Sequence, residues 1–369
     1  MEIKQVQTAA QLKDFIEFPY KLYRGHPYWV PPLISETMEM FSGKNPFWTH
    51  AEKELFTVYD RDLPVGRVAA IIDSAHNGFH GEKCGFFGFF ECAEDVRIAR
   101  TLLDKVSAHL KEKGMNIMRG PVNPSTNDEC GLLIEGFNDP PKIMMPYNFP
   151  YYVDFLSDMG FYKAKDLFAF MMAVEEGPVK RLFPVAERVL KRNPQLSVRK
   201  VNMKDFDAEV NLIMDIYNSA WERNWGFVPM TKDEMFYLAG KLKQIVDPDI
   251  LWLAFYGEEP AGFLMTLPDI NEALKKINGR LTPFNLLKLI YYTKKIKNLR
   301  LLTMGVKKKF HKLGIESLLY ARTLEAALKK GYKNCEFSWI LEDNVLTVRA
   351  AGMMTGKLYK KYRIFEKPI

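Results

Sequence analysis

The run VKKKFHKLGI, Val306 to Ile315, ends a basic loop on a glycine, Gly314, and opens a leucine-rich segment. A strand passing through such a loop into a helix offers unpaired backbone N–H groups and the positive end of the helix dipole. The glycine lets an anion approach the backbone closely. Phosphate binding is the chemistry expected there, although Glu316, in the first helical turn, competes with a bound phosphate for the dipole. The loop is neither a Walker loop nor a dinucleotide fingerprint, since GxxxxGK[ST] and GxGxxG are both absent. From Ala273 to Ile315 there is no Asp or Glu but there are twelve Lys and Arg, so a net charge of +7 leaves −5 for the rest of the chain. Such a field attracts phosphates, anionic lipid or nucleic acid; a solvated basic helix face is the alternative reading. Metal and redox chemistry find no support: Cys84, Cys92, Cys130 and Cys335 lack CxxC spacing, and the six histidines form no HExxH. Cys335 lies in an apolar strand with no sequence-local base, which reads as core.

The elements that must position this loop are legible on both sides of it. Asn298–Val306 and Cys335–Leu341 are apolar strands, and Ile315–Lys330 carries Ile315, Leu318, Leu319, Leu324 and Leu328 at helical spacing before Gly331 stops it. Ile250–Tyr256 and Ala261–Leu267 flank the turn GEEP as a hairpin, and Leu358–Phe365 is a closing strand. This order predicts an α/β fold, an α+β mixed sheet with helices on its faces. The pattern occurs twice. Pro64, Gly66 and Asp73 match Pro260, Gly262 and Asp269 at an offset of 196. Gly114 and Asn127 match Gly331 and Asn344 at 217, and Gly160 matches Gly356 at 196 again. Two domains are expected, 1–177 and 196–369, joined by a helical segment at 178–195. The length of 369 residues and a composition 47% hydrophobic and 26% charged suit two globular cores. The longest apolar run, Leu167 to Val174, is far short of the ~20 residues of a membrane-spanning helix, and no secretory signal is evident, so a cytoplasmic location is expected.

Val306, Gly314, Ile315, Leu318 and Leu319 fall where the GNAT superfamily of acyl-CoA N-acyltransferases has its loop V-x-P-x-x-(R/Q)-G-x-G-(I/A)-G and the helix after it. Lys308, His311, Lys312 and Glu316 depart from that pattern. With SWILEDN, LYKKYRIFEK, GPVNPSTND and NSAWERNWGFVP, nearly the whole chain resembles an incompletely characterised bacterial family with two tandem GNAT-like halves, some of whose members are linked to N-acylation of long-chain lipid bases. The resemblance implies that acyl-CoA or acetyl-CoA is the donor, with an acyl-carrier protein as the alternative. The strand Thr303, Met304, Gly305 and Val306 would splay from its neighbour to receive the pantetheine, and the amides of His311, Lys312, Leu313, Gly314, Ile315 and Glu316 would hold the pyrophosphate. The equivalent stretch of the first half, FFECAEDVRI, carries Glu91, Glu94 and Asp95 and would repel a pyrophosphate.

Amide formation from a thioester needs a neutral amine, an oxyanion donor and a proton for the leaving thiolate. The family's usual tyrosine position is Ala351, which leaves Tyr359 and Tyr362 as proton donors and Glu342 as base; Asn344 either orients the thioester or forms a turn, and Asp343 activates the amine or caps a helix. Aromatic residues Tyr147, Tyr151, Tyr152, Trp221 and Trp225, with Asn123 and Asn127, are expected to line the acceptor cleft. The acceptor is a small-molecule or lipid amine, with a long-chain base as the leading case. Residues 273–312 are expected either to meet an anionic membrane surface or to cover the sheet. tRNA-dependent aminoacyl transfer and non-catalytic lipid binding are the alternatives.

Overall fold

The computed structural model describes the chain except residues 175–177, 223 and 356, with backbone only at 178–181, 353 and 355. Gly356, one of the repeat matches, therefore lies outside the described residues. In chain order the elements are β1 (Glu2–Gln5), α1 (Ala9–Leu22), α2 (Ile34–Met40), β2 (Ala51–Asp60), β3 (Leu63–Asp73), α3 (Ser74–His80), β4 (Cys84–Cys92), α4 (Val96–Glu112), β5 (Ile117–Gly120), β6 (Val122–Asn123), β7 (Glu129–Cys130), β8 (Leu132–Glu135), α5 (Tyr151–Asp158) and β9 (Tyr162–Ala173). The second half continues with α6 (Pro178–Arg192), β10 (Leu196–Lys200), α7 (Phe206–Trp221), α8 (Lys232–Leu242), β11 (Leu251–Tyr256), β12 (Glu259–Pro268), α9 (Asn271–Leu274), α10 (Pro283–Thr293), β13 (Asn298–Val306), α11 (Ile315–Lys330), β14 (Asn334–Leu341), α12 (Val345–Thr355) and β15 (Leu358–Pro368). The expected strand at 298–306 and helix at 315–330 have these same bounds.

Two compact units form. One comprises Met1–Leu167, Ala273–Ile290 and Lys360–Ile369, the other Phe168–Glu272 and Tyr291–Tyr359. The segment expected as a connection falls on α6, and each unit draws on both sides of it. In the first unit β1-β2-β3-β4-β5 are neighbours in that order, antiparallel except for the β4–β5 pair, and Phe365 to Pro368 of β15 add to β5. In the second, β10-β11-β12-β13-β14 repeat the arrangement, with β13–β14 the parallel pair.

The duplication extends to irregularities. The β2–β3 ladder shifts register between Val58 and Tyr59, and the β11–β12 ladder shifts between Ala254 and Phe255, the residues 196 positions on. Gly66 and Gly262 face these points, and both are glycine because a neighbour leaves no room. A Cβ on Gly66 would lie 2.7 Å from Ile98 of α4, and one on Gly262 would lie 2.9 Å from the Gly305 carbonyl. The long helices are held by one apolar face each. Ile98, Ala99, Leu102, Leu103, Val106 and Leu110 are buried on α4, and Ile315, Leu318, Leu319, Leu324 and Ala327 on α11. Each fully buried leucine contributes ~1.5–3 kcal/mol. Gly331 ends α11 in the left-handed region, φ 75°, donating to the carbonyls of Ala327 and Leu328. No described helix is long and apolar enough to cross a membrane.

Candidate active site

In the second unit β13 stays on β12 as far as Val306, but its pairing with β14 runs only from Asn298↔Asn334 to Leu301↔Phe337. A bulge sets Leu301 and Thr303 against the consecutive residues Thr266 and Met265, so Leu302 is the extra residue at the parting point. Beyond it, Thr303 to Val306 run past the end of the pairing with β14, at the place where the resemblance implies a splayed strand. The chain then makes a 3-10 turn at Lys308–Phe310, and His311 donates its Nε2–H to the Val306 carbonyl at 3.0 Å, since a carbonyl can only accept. Lys312 (φ 70°) and Gly314 (φ 80°) both take left-handed backbone, and α11 starts with no side chain capping its first amides. Those N–H groups have no intrahelical partner, so this helix end is available to an anion. A Cβ on Gly314 would lie 2.6 Å from Val189 of α6. The loop lysines are less free than the sequence suggested: Lys307 pairs with Asp215 at 2.5 Å, Lys308 with Glu222 at 3.2 Å and Lys309 with Glu259. The exposed pairs of Lys308 and Lys309 are weak and can exchange for a phosphate partner, whereas the Lys307 side chain is largely buried.

Beside the parting strands lies a buried polar cluster that the sequence reading missed. Glu336 is wholly buried on β14. The hydroxyls of Tyr359 and Ser338 donate to its two carboxylate oxygens. Arg300, 2% exposed and the Cα partner of Glu336 on β13, donates from Nε to the Ser338 hydroxyl at 2.9 Å and from Nη2 to the Ser338 carbonyl at 3.2 Å. Burying charges in this way is tolerated only with hydrogen-bonded partners, and a cluster so built can hold a proton at a fixed place. The available signal was a single charge inside each of two apolar runs, LRLL and CEFSW.

The structure separates the predicted residues into groups. Tyr359 joins the cluster, whereas Tyr362 is fully buried in the first unit. Glu342 lies half-buried in the turn after β14, and Asn344 accepts from the Thr347 amide at 3.2 Å, capping α12. Trp221, at the end of α7, packs on the splayed strand: a Cβ on Gly305 would lie 2.8 Å from its ring. Trp225 lies in the loop that follows. Burial pushes the Cys335 thiol up to about 12, in keeping with a core role.

In the first unit the corresponding positions are already filled. Asp95 caps α4 by accepting from the Arg97 amide at 2.9 Å. Tyr151 donates to the Cys92 carbonyl (2.8 Å), and the Cys92 amide donates to the Tyr152 hydroxyl (2.8 Å). The hydroxyls of Tyr152 and Tyr23 donate to Glu91 at 2.8 and 2.7 Å, and burial raises the Glu91 carboxyl to about 7 against the pull of Arg67. Asn123 accepts from the Phe89 amide at 2.6 Å, Asn127 donates its amide to Ser125 at 3.1 Å, and Tyr147 donates to the Phe137 carbonyl at 2.9 Å. His76, Glu82 and Cys84 bring potential metal-binding atoms within 4.8 Å of one another. Glu82, however, is paired to Arg119 at 2.9 Å, and burial pushes the Cys84 thiol up to about 12, so this donor set does not suit a cation.

No family model matches the chain. It is 35% identical to a bacterial ceramide synthase of Caulobacter vibrioides, over all of this chain and 98% of that one, and 33% identical to protein YghO of Escherichia coli, over 97% and 93%. Among solved structures it resembles a tandem GNAT protein from the clavulanic acid biosynthesis pathway, with a TM-score of 0.57 at 12% identity over 100% and 98% of the chains. A GCN5-related N-acetyltransferase of Sphaerobacter thermophilus gives a TM-score of 0.50 at 8% identity over 99% and 95%. The tandem GNAT architecture expected from the loop and the repeat is thus the observed fold.

Proposed function

Since this chain belongs to the family of the bacterial ceramide synthase, acyltransferases of tandem GNAT fold, we propose that it joins an acyl group from acyl-CoA to the amine of a lipid long-chain base. The observation that carries the donor half of this reading is the contrast between the two helix starts. α11 opens at Gly314 without a side-chain cap beside a splayed strand, while α4 is capped by Asp95 beside a strand end bonded to Tyr151 and Tyr152. One donor site per chain follows, in the second unit. The amides of Lys312 and of Gly314 to Glu316 would hold the pyrophosphate, since His311 and Leu313 donate theirs to the Lys308 and Phe310 carbonyls at 3.1 and 3.4 Å, and Thr303 to Val306 would receive the pantetheine amides. Acyl-CoA supplies an activated carbonyl and a thiolate leaving group.

The residues of this chain supply position and protons. The amine nitrogen forms a bond to the carbonyl carbon, the carbon–sulfur bond breaks, one proton leaves nitrogen and one reaches sulfur. In this reading Tyr359, positioned by Glu336, turns its one O–H from that carboxylate to the leaving sulfur and regains a proton from solvent, and Glu342, at the strand end, accepts the amine proton. Arg300 and Ser338 hold the Glu336 carboxylate in place. A lipid acceptor also calls for contact with a bilayer.

Titration of acyl-CoA tests the donor site. Wild type should bind one equivalent, and Gly314→Asp should bind far more weakly than Gly314→Asn. The two side chains have the same shape, tolerate left-handed backbone alike and meet Val189 alike, so the larger loss in the Asp variant reports charge rather than strain or bulk. Equal affinity in all three proteins would remove the assignment.

A further inference from the structure

Helix α10 has its amphipathic sense inverted. It contains no buried residue, and its half-buried positions include Asn285, Lys288 and Leu289. Phe284, Leu286, Leu287 and Ile290 point to solvent, with Phe284 66% and Leu287 68% exposed, and Leu281 just before the helix is 49% exposed. At 100° per residue, Leu287 and Ile290 sit opposite Asn285 and Leu289, with Leu286 and Phe284 on their flanks. The apolar side of the helix therefore faces away from the fold.

The helix start is held in place. In the preceding turn Ile277 is buried, the Gly279 carbonyl accepts from the Ile34 amide at 3.0 Å, and a Cβ on Gly279 would lie 2.4 Å from the Pro32 carbonyl oxygen. Lys275 donates to the Pro27 carbonyl and Arg280 lies 3.7 Å from Glu17. The Thr282 hydroxyl accepts from the Asn285 amide at 3.2 Å, and Asn285 returns a bond to the Arg280 carbonyl at 2.8 Å. An apolar face presented on an anchored turn needs an occupant.

We propose that the outward face of α10 docks on an anionic lipid surface. Charge chooses this occupant. Between Ala273 and Ile290, the part of the basic stretch that lies in the same compact unit as the exposed face, there is no acidic residue, and Lys276, Arg280 and Lys288 flank the apolar positions. A helix lying in the interface buries its apolar face at the headgroup boundary while flanking cations meet anionic headgroups. The amine of a membrane-resident base would be met where that base lies; in that respect the inference rests on the lipid-acceptor reading.

Co-sedimentation of the full chain with phosphatidylcholine vesicles, with and without phosphatidylglycerol, tests it. Wild type should bind the phosphatidylglycerol vesicles more tightly, and salt should weaken binding, because the Debye length falls to ~8 Å at physiological ionic strength. The double variant Leu287→Gln/Ile290→Gln should bind on the order of tenfold more weakly, since each lost apolar contact is exposed in the free protein and buried only in the lipid. Its thermal unfolding should not change. Equal binding to both vesicles, no binding, or wild-type binding by the double variant would overturn the proposal. So would a dimer that the double variant splits without losing vesicle binding, which would make a second copy the occupant. Acyl transfer to a detergent-dispersed base separates the two readings. Transfer without vesicle binding sinks only the docking surface, and vesicle binding without transfer sinks only the acyltransferase chemistry.

Discussion

The hydroxyl of Tyr359 donates to the wholly buried carboxylate of Glu336, and Ser338, itself bonded by Arg300, donates to the other oxygen of the same carboxylate. A tyrosine near the sheet's parting strands is thereby fixed in one rotamer, with its hydroxyl on a charged acceptor. Tyr359 is the residue the proposed proton transfer depends on.

Replacing Tyr359 by Phe should lower kcat by ~10²–10⁴-fold, the usual contribution of a positioned acid, while acyl-CoA affinity stays near wild type. Steady-state kinetics alongside a binding titration checks this. Glu336→Gln should lose both activity and stability, because it leaves the buried Arg300 and Ser338 without their charged partner; removing one member of a buried charged cluster costs about 3–5 kcal/mol. Unchanged kcat in a folded Tyr359→Phe would return the protons to substrate or water.

Asp95→Ala should destabilise the protein by about 1 kcal/mol through loss of the α4 cap. It should leave acyl-CoA stoichiometry at one per chain, since Tyr151 and Tyr152 still occupy the β4 end. Urea unfolding and calorimetric titration measure the two effects. A second bound equivalent in the wild type would show that the first unit has kept a donor site.

Much of this was legible in the sequence, and what was not follows a physical pattern. Local signals worked: periodic leucines and Gly331 fixed the helix at 315–330, and the matched Pro64/Pro260 and Gly66/Gly262 marked hairpins that share even a bulge. Long-range pairing was invisible. Arg300 and Glu336 become neighbours only because two strands 36 residues apart run parallel, and nothing local marks Tyr359 as their partner. Tyr147, Tyr151, Tyr152 and Asn123 are expected from the sequence to line the acceptor cleft, and the partners they take, backbone or a carboxylate remote in sequence, are likewise invisible to local pattern. For α10, hydropathy gave the apolar residues but not which face the fold would leave uncovered.

Glu91 predicts a pH dependence. Burial raises its folded-state value to about 7 from an ordinary 4.5, with Tyr23, Tyr152 and Arg67 facing it. The folded protein therefore binds the proton more tightly than the unfolded chain. This contribution to stability is fully present below about pH 4.5 and is lost as the pH rises through about 7. Glu91→Gln should flatten that fall in unfolding midpoints measured from about pH 4 to about pH 8, which bracket the window. The same slope in the variant would assign the titration to another group.

The most direct measurement of the central claim is mass spectrometry of the products formed when the purified protein meets acyl-CoA and a detergent-dispersed long-chain base, with released thiol counted in the same reaction. The account predicts an N-acyl amide of the base, one free CoA thiol for each amide, and loss of both in Gly314→Asp. Thiol release without amide, or amide formation that persists undiminished in that variant, would contradict it.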